Sequence, residues 1–268
     1  MINETRKRVK ELRPLIHCIT NPISITRCAD TILAAGARPI MAEHPEEAEA
    51  VTVTAGAVML NLGNITDARK SSMLISARAA KERGIPFVLD VCGAACLTTR
   101  REYAEKLIQQ AVPSVIKGNY SEINALCHTQ YSSSGVDADP VLGTAELDSA
   151  AVKLARSYGT VIMASGKTDI VTDGRRLIHI NGGSPQLTTI TGTGCMLGAL
   201  CAAYLSAAPA ENAAAAACAV FGICGRLAET DRGSGTFSVN LMDALSTVSD
   251  DAILKYLDME ETTIEQDQ

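Results

Sequence analysis

One segment of the chain places a cysteine behind a glycine turn, at the start of a long alanine-rich helix. Residues 188–205 read TTITGTGCMLGALCAAYL, and Gly192 and Gly194 can adopt backbone angles that other residues avoid. The first N–H groups of a helix lack partners and carry partial positive charge, so they stabilise a phosphate or an oxyanion. The segment predicts an anion-binding helix start at Thr193, Gly194 and Cys195, although close packing alone would also favour these glycines.

Two familiar nucleotide-binding signatures do not fit this chain. The dinucleotide fingerprint GxGxxG would require glycine where Leu197 stands. A Walker A loop ending at Gly166 and Lys167 would require glycine at Val161 and a helix afterwards, where a strand pattern follows instead. Any phosphate chemistry must therefore use a different arrangement.

Short apolar runs alternate with helix-length segments, which predicts βαβ units and a mostly parallel sheet covered by helices on both faces. The predicted strands are 15–19, 38–41, 57–61, 86–90, 114–117 and 160–164, and the helices between them are 23–35, 67–83, 100–111 and 145–158. A hairpin signal at Asp173-Gly174-Arg175 predicts antiparallel strands at one sheet edge. The length of 268 residues fits one domain over residues 1–268.

The ends of the chain and one loop complete this prediction. The N-terminal residues form a charged amphipathic helix without a signal-peptide pattern. Three helices are predicted at roughly 193–206, 211–230 and 239–257, followed by an acidic end, 259–268, that frays. Residues 129–143, rich in Ser, Asp and Gly, predict a surface loop.

Polar residues stand where the predicted parallel strands end. Since ligands of open parallel sheets bind at the carboxyl ends of the strands, these side chains should converge on one site. Asp90 and Glu122 are oxygen donors suited to Mg²⁺ with its waters, Lys117 supplies positive charge for phosphates, and Ser165 can bond a phosphate oxygen. The same strand-end series contains Thr20, Asn21, Met41, Asn61 and Asn119.

Composition excludes several classes of partner. The net charge of −6 and the scarcity of aromatic residues, 3%, oppose nucleic-acid binding. The apolar stretch 194–225 is interrupted by polar residues, which predicts two buried helices instead of a membrane span. Nine cysteines without a CxxC pair predict buried thiols in a reducing cytoplasm. The four histidines show no zinc-ligand spacing.

Several motifs occur together in a specific order along nearly the whole chain. They are HCITNPIS at 17–24, MAEHPEEA at 41–48, LNLGNI at 60–65, IKGNYSEI at 116–123, TGTGC at 191–195 and GSGTF at 233–237. Together they resemble the hydroxyethylthiazole kinase family of the ribokinase-like superfamily. The resemblance implies a three-layer fold and ATP-dependent phosphorylation of the primary alcohol of 4-methyl-5-(2-hydroxyethyl)thiazole, with Mg²⁺, in thiamine salvage. It also implies a homotrimer with sites near subunit boundaries.

The resemblance also implies roles for particular residues. Met41 and Gly192 line the thiazole pocket, and Lys117 and Ser165 contact ATP. Asn119, Glu122 and Asp90 match the superfamily's metal region, and we also assign Asn119 to ATP binding. Asn21 and Asn61 are assigned to substrate binding. Two departures from the family pattern concern Lys117, where many relatives have Arg, and Asp90-Val91-Cys92-Gly93, where the family usually reads DPVG.

Cys195 occupies the position where the wider superfamily usually has an aspartate base. A helix start lowers a cysteine pKa, so we hypothesise that Cys195 accepts or orients the hydroxyl proton while Thr193, Gly194 and Cys195 hold the phosphoryl group. Two alternatives stay open. Cys195 could be a covalent nucleophile of an acyl-transfer enzyme, with His17 or His179 as base, or the chain could bind nucleotides without turnover.

Overall fold

The computed structural model describes residues 1–127 and 144–264, which form a nine-stranded sheet between two layers of helices. The spatial order is β2-β1-β3-β4-β5-β6-β7-β8-β9, parallel from β2 to β6 and antiparallel from β6 to β9. The strands are β1 (Leu15–Ile19), β2 (Arg38–Ile40), β3 (Ala57–Asn61), β4 (Phe87–Asp90), β5 (Val115–Asn119), β6 (Val161–Ser165), β7 (Asp169–Thr172), β8 (Arg176–Asn181) and β9 (Asp258–Thr263).

Helices connect the parallel strands and close the chain. They are α1 (Ile2–Leu12), α2 (Ile25–Ala34), α3 (Pro45–Thr52), α4 (Asp67–Arg83), α5 (Thr98–Gln110), α6 (Tyr120–Cys127), α7 (Thr144–Tyr158), α8 (Thr193–Leu205), α9 (Ala210–Leu227), α10 (Ser234–Thr247) and α11 (Asp250–Tyr256). A short 3-10 helix, Pro185–Thr189, precedes the glycine turn before α8.

Each face of the sheet has its own hydrophobic core, because successive strand residues point to opposite sides. In β3, Ala57 and Met59 pack with α8 and α9, whereas Val58 and Leu60 pack with α4 and α5. Every residue of α8 from Cys195 to Leu205 is buried. The sheet and the neighbouring helices therefore fix the position of the start of α8.

The structure confirms the parallel sheet, the helices on both faces and the antiparallel edge, and α4 has the predicted bounds. The single helix predicted over 239–257 is wrong, because Val248 leaves the helical conformation and Ser249 caps a new helix by accepting the N–H of Ala252. The predicted frayed acidic end is wrong for 259–263, which belong to β9 and pair with β8. Residues 265–268 lie outside the described residues.

The acidic end is ordered as a strand by main-chain pairing with β8, and ion pairs lie on the same strand. Arg176 on β8 binds Glu211 of α9 and also reaches Glu261 of β9, with 3.3 Å between Nη1 and Oε1. The cross-strand charges thus favour the pairing that extends the sheet.

The apolar stretch 194–225 forms two helices, as predicted, joined by a short turn. Within 1–127 and 144–264, no helix is both long and apolar enough to cross a membrane. The predicted surface loop, 129–143, falls outside the described residues.

Candidate active site

Three polar side chains form a row across the carboxyl ends of β3, β4 and β5. Asn61 is in register with Asp90, and Asp90 is in register with Lys117. Side chains in register project from the same face of a sheet. Asp90 Oδ2 accepts hydrogen bonds from Asn61 Nδ2 at 2.8 Å and from Lys117 Nζ at 3.3 Å, and all three side chains are buried. The sheet therefore holds an ammonium and a carboxylate together beneath α8.

The start of α8 lies directly against this row. Its N-cap residue, Gly192, has φ of 91°, and no side chain in the described part of the chain caps the helix. A Cβ on Gly192 would stand 3.0 Å from Cβ of Ser24, and a Cβ on Gly194 would stand 3.1 Å from Lys117 Nζ. The close approach of Lys117 puts its positive charge beside the uncapped main-chain N–H groups. An uncapped helix start beside an ammonium is able to bind an anion, and the anion-binding role of these residues stays a prediction.

Cys195 faces several hydrogen-bond donors. Its Sγ lies 3.3 Å from Nδ2 of Asn21 and 3.3 Å from Nδ2 of Asn61. The neighbouring Cys92 side chain is the main influence that lowers the pKa of Cys195, against the opposing effect of burial, and the charge of Lys117 and the side chains of Ser24 and Asn21 act in the same direction. These surroundings favour the thiolate form of Cys195 over the thiol.

Asn61 connects the members of this cluster. Its Nδ2 donates to both Asp90 and Cys195, and its Oδ1 accepts from Asn21 Nδ2 at 3.2 Å and from the Gly63 N–H at 2.8 Å. The side chain is fully buried. Asn61 is thus placed to orient the carboxylate and the thiolate. Its assignment to substrate binding stays a prediction.

Burial and charge shape the ionisation of the Asp90–Lys117 pair. Burial raises the pKa of Asp90 to about 7, although the ammonium of Lys117 opposes the shift. Burial alone would lower the pKa of Lys117, but the charges of Asp90 and Glu122 outweigh it and raise that pKa. The ammonium therefore keeps its proton, and a phosphate can use its charge.

The two predicted metal residues have different surroundings. Asp90 Oδ1 is buried and has no hydrogen-bond partner among the residues that the structure describes. Glu122 accepts main-chain N–H groups on both oxygens, from Gly93 at 2.6 Å and from Asn119 at 2.7 Å. Within the described ranges, no three His, Cys, Asp or Glu side chains form a metal cage. These donors fit a hydrated Mg²⁺ whose other ligands are water and phosphate oxygens.

Two further predicted residues, Ser165 and Met41, lie at the carboxyl ends of parallel strands on either side of the row formed by Asn61, Asp90 and Lys117. Ser165 ends β6 in register with Asn119, is half-buried and donates to the Gly118 carbonyl at 3.3 Å. Met41 follows β2 at the opposite edge of the parallel strands and packs half-buried on the core beneath α8. The strand ends from β2 to β6 could therefore hold a small molecule at one side and a nucleotide at the other.

The histidines proposed as bases for a covalent nucleophile are engaged elsewhere. The ring nitrogens of His17 bond Thr52 Oγ1 at 2.9 Å and the Ala42 carbonyl at 2.8 Å, and burial lowers the pKa of this histidine. On β8, His179 Nε2 bonds Asp148 at 2.9 Å. Neither arrangement supplies Cys195 with a base, so the acyl-transfer alternative lacks its second component.

Sequence reasoning missed two contacts of Cys195. Cys92, after the end of β4, and Ser24, at the start of α2, both lower the pKa of Cys195. Ser24 belongs to the HCITNPIS motif, which gave a signal for its position. Cys92 had no signal beyond its departure from DPVG.

Comparison with known proteins identifies relatives of the whole chain. The model of the hydroxyethylthiazole kinase family matches residues 6–251. Hydroxyethylthiazole kinase 2 of Clostridium botulinum (strain Langeland) is 43% identical over 257 residues, covering 94% of this chain and 97% of that protein. Hydroxyethylthiazole kinase of Methanoculleus marisnigri is 40% identical over 255 residues, with 94% and 91% covered.

Solved structures show the same architecture. The hydroxyethylthiazole kinase protein from Pyrococcus horikoshii matches with a TM-score of 0.90 and 33% identity over 97% of this chain and 98% of that chain. A pyridoxal kinase from Staphylococcus aureus matches with a TM-score of 0.65 and 14% identity, covering 93% and 98% of the two chains. At that identity the second likeness concerns the fold alone.

Proposed function

The chain belongs to the hydroxyethylthiazole kinase family, and on this basis we propose that it transfers the γ-phosphoryl group of ATP to the hydroxyl of 4-methyl-5-(2-hydroxyethyl)thiazole, in the salvage of thiazole for thiamine synthesis. One observation supports the chemistry most strongly. The uncapped start of α8, the ammonium of Lys117 and the carboxylate of Asp90 share one corner at the carboxyl ends of the strands.

Charge neutralisation is the main task of this corner. Phosphoryl transfer passes through a loose transition state whose charge is spread over the equatorial oxygens. The N–H groups of Thr193, Gly194 and Cys195 would donate to those oxygens, and Lys117 would add a full positive charge. Because Lys117 and Cys195 are buried and packing fixes the start of α8, little reorganisation accompanies the reaction.

Asp90 and Glu122 would hold Mg²⁺ through its waters. The ion, when bound, neutralises and orients the phosphate oxygens of ATP. Asp90 Oδ1 is the better-placed donor because it has no protein partner in the described residues. Glu122 has a second task, since its bonds to Gly93 and Asn119 brace the ends of β4 and β5.

ATP and the alcohol would bind at opposite sides of the site, along the carboxyl ends of the parallel strands. We assign ATP to the side of Lys117, Asn119 and Ser165, at the ends of β5 and β6. The thiazole would lie toward Met41, Gly192 and Asn21, where β2, α2 and the turn before α8 meet. Asn61 lies between the two sides, and we also assign it to substrate binding. This order brings the hydroxyl and the γ-phosphoryl group together at Cys195.

Cys195 would take or orient the hydroxyl proton. Its thiolate is stabilised by Cys92, Asn21 and Asn61, and an anion within hydrogen-bond reach of the alcohol directs the oxygen lone pair at phosphorus. Positioning and charge contribute more than base catalysis to this class of reaction. Cys195 is therefore useful but not indispensable.

Replacing Cys195 tests this role. Cys195→Ala should lower kcat by about tenfold to a hundredfold, at or below the usual contribution of a general base, with little change in the KM for ATP. Cys195→Asp should retain activity, because a carboxylate also accepts a proton. Steady-state kinetics would measure both, with Cys201→Ala in the same helix as a control that keeps kcat. An unaltered kcat in Cys195→Ala would remove the thiolate from the mechanism.

The proposed reaction itself is tested by coupled ADP release across a panel of small primary alcohols. ADP should appear rapidly with the thiazole alcohol and much more slowly with other alcohols and with water. Equal rates without any alcohol would indicate ATP hydrolysis, and no release with any alcohol would favour a nucleotide-binding module without turnover.

Two further proposals come from the family. We propose that three copies of the chain assemble with their sites near the subunit boundaries, and that the enzyme works in the cytoplasm. Sedimentation equilibrium would measure the mass of the assembly, and fractionation of the source cells would locate the protein.

A further inference from the structure

One arginine side chain is buried where three loops meet, at the carboxyl ends of β1, β2 and β3. Arg69 lies in the first turn of α4 and is 3% exposed. The loops around it join β1 to α2, β2 to α3 and β3 to α4. The first two carry Asn21 and Met41, and the third follows Asn61, so each loop is next to a residue that we assign to substrate binding.

The guanidinium holds two of these loops by their main chain. Its Nη1 donates to the carbonyl of Thr20 at 3.1 Å, and its Nη2 donates to the carbonyl of Asn64. Thr20 directly precedes Asn21 in the loop after β1. Because a guanidinium presents several N–H groups in a rigid fork, this one side chain fixes two carbonyls at once.

The third loop is held through Glu43, two residues after Met41. The carboxylate of Glu43 lies 3.8 Å from Arg69 Nε, and Ser72 in the same helix donates from Oγ to the carbonyl of Glu43 at 2.7 Å. The start of α4 therefore sets the position of all three loops.

The turn after β3 extends the influence of Arg69 to two asparagines of the site. Asn64 has φ of 49°, a left-handed conformation that is uncommon outside glycine, and its carbonyl is the one that Arg69 holds. The adjacent Gly63 donates its N–H to Asn61 Oδ1 at 2.8 Å, and a Cβ on Gly63 would stand 2.9 Å from Asn21 Nδ2. A shift of this turn must therefore displace Asn21 and Asn61.

Stability alone explains this arrangement poorly. Arg69 Nε has no hydrogen-bond partner in the part of the chain that the structure describes, and its ion-pair partner, Glu43, is half-exposed. Burying a charge is costly, and a buried ion pair is often no more stabilising than apolar side chains of similar volume. The bonds of Arg69 therefore contribute more to the geometry of the loops than to the free energy of unfolding.

We propose that Arg69 is a positioning residue of the alcohol site, which fixes the three loops so that their substrate-binding side chains meet the thiazole alcohol. The inference rests on the proposed function and adds a residue that reaches the substrate only through others. Its effect should be confined to the alcohol, because the loops belong to β1, β2 and β3, whereas ATP is assigned to the ends of β5 and β6, beyond β4 in the sheet.

Replacing Arg69 by methionine tests this role, since methionine fills space but donates no hydrogen bond. We expect the KM for the alcohol to rise by about tenfold, through small displacements of the binding groups, and the KM for ATP to keep its parental value. Steady-state ADP release measures both constants. A merely structural role would lower the concentration of folded enzyme, and so the apparent kcat, without changing either KM.

The variant should fold, because removing Arg69 leaves Glu43 half-exposed to water and not as a buried unpaired charge. Circular dichroism would check the fold. Arg69→Lys is the second variant: it keeps the charge without the fork, so it should raise the KM for the alcohol less than Arg69→Met does.

Arg6→Met is the matched control. Arg6 of α1 is 6% exposed and, like Arg69, binds a carbonyl and a carboxylate, those of Val248 and Asp250. These partners belong to the helices that close the chain and not to a loop at the strand ends. The control should lose stability and keep both KM values.

The outcomes separate this inference from the proposed function. A parent protein without alcohol-dependent ADP release would overturn the function and the inference together. With an active parent, a parental KM for the alcohol in Arg69→Met and Arg69→Lys would overturn the positioning role alone. The same holds for an equal rise in both KM values, for a rise in Arg6→Met as well, and for loss of the fold in both Arg69 variants.

Discussion

Replacing Lys117 by methionine should lower kcat by about 10²–10³-fold, the usual loss when one preorganised group that stabilises a transition-state charge is removed. The ammonium stands beside the uncapped start of α8 and 3.3 Å from Asp90 Oδ2, in a corner where burial strengthens its field. Stopped-flow or steady-state kinetics would measure this loss. Lys117→Arg keeps the charge and should retain much of the activity.

Lys117→Met also leaves Asp90 buried without its ion-pair partner. Burial raises the pKa of Asp90 to about 7 even beside the ammonium, and without Lys117 this pKa rises further. The variant should therefore lose stability at neutral pH and keep it at acid pH, which denaturant unfolding at both pH values would measure. Parental kcat in Lys117→Met would show that the role of Lys117 is structural.

Replacing Gly194 by alanine should lower kcat by up to about tenfold, because the new methyl group forces Lys117 Nζ to shift by a few tenths of an ångström. The new methyl group would lie 3.1 Å from Lys117 Nζ, and the ammonium is held from the other side by Asp90. Lys117 must therefore move away from the helix start. Phosphoryl transfer should slow while the KM for the alcohol changes little.

Gly222→Ala is the matched control for Gly194→Ala. Gly222 lies within α9, and a Cβ there would meet its nearest neighbour at 3.5 Å, an ordinary contact. Alanine at a helical position without a clash should stabilise the fold by about 0.5–1 kcal/mol and leave kcat unchanged. A Gly194→Ala enzyme with parental kcat would show that the approach of Lys117 to α8 does not matter for catalysis.

The sequence predicted the sheet well because its signals are local. Apolar runs flanked by turn residues mark β1 and β3 with their observed bounds, and the register of β3, β4 and β5 follows from burial on both faces. The rule that strand ends converge then placed Asn61, Asp90 and Lys117 together. Their mutual hydrogen bonds depend on side-chain packing and could not be predicted from the pattern.

The missed and misjudged elements have physical reasons too. The helix α3 is short and acidic, and its signal is a capping box of His44 and Glu47 around Pro45, which is weaker than an apolar periodicity. The strand β9 has no apolar alternation, and it forms because β8 offers a free edge for main-chain pairing. Both depend on neighbours distant in the chain.

Only part of the environment of Cys195 could be predicted from the sequence. The helix start and its glycines, read from the local sequence alone, predicted that Cys195 favours the thiolate form. The contribution of Cys92 comes from the turn after β4, about a hundred residues earlier, and that of Asn61 from the next strand. Tertiary structure was needed to see that these donors share one sulfur atom.

We propose above all that the first N–H groups of α8 and the ammonium of Lys117 bind the phosphoryl group while it passes from ATP to the alcohol. The most direct measurement is a crystal structure with ADP, Mg²⁺, aluminium fluoride and the thiazole alcohol, since aluminium fluoride occupies the place of the transferring group. The account predicts fluorides within hydrogen-bond distance of the N–H groups of Thr193, Gly194 and Cys195 and of Lys117 Nζ. Aluminium fluoride bound away from this helix start, with these four donors unengaged, would contradict it.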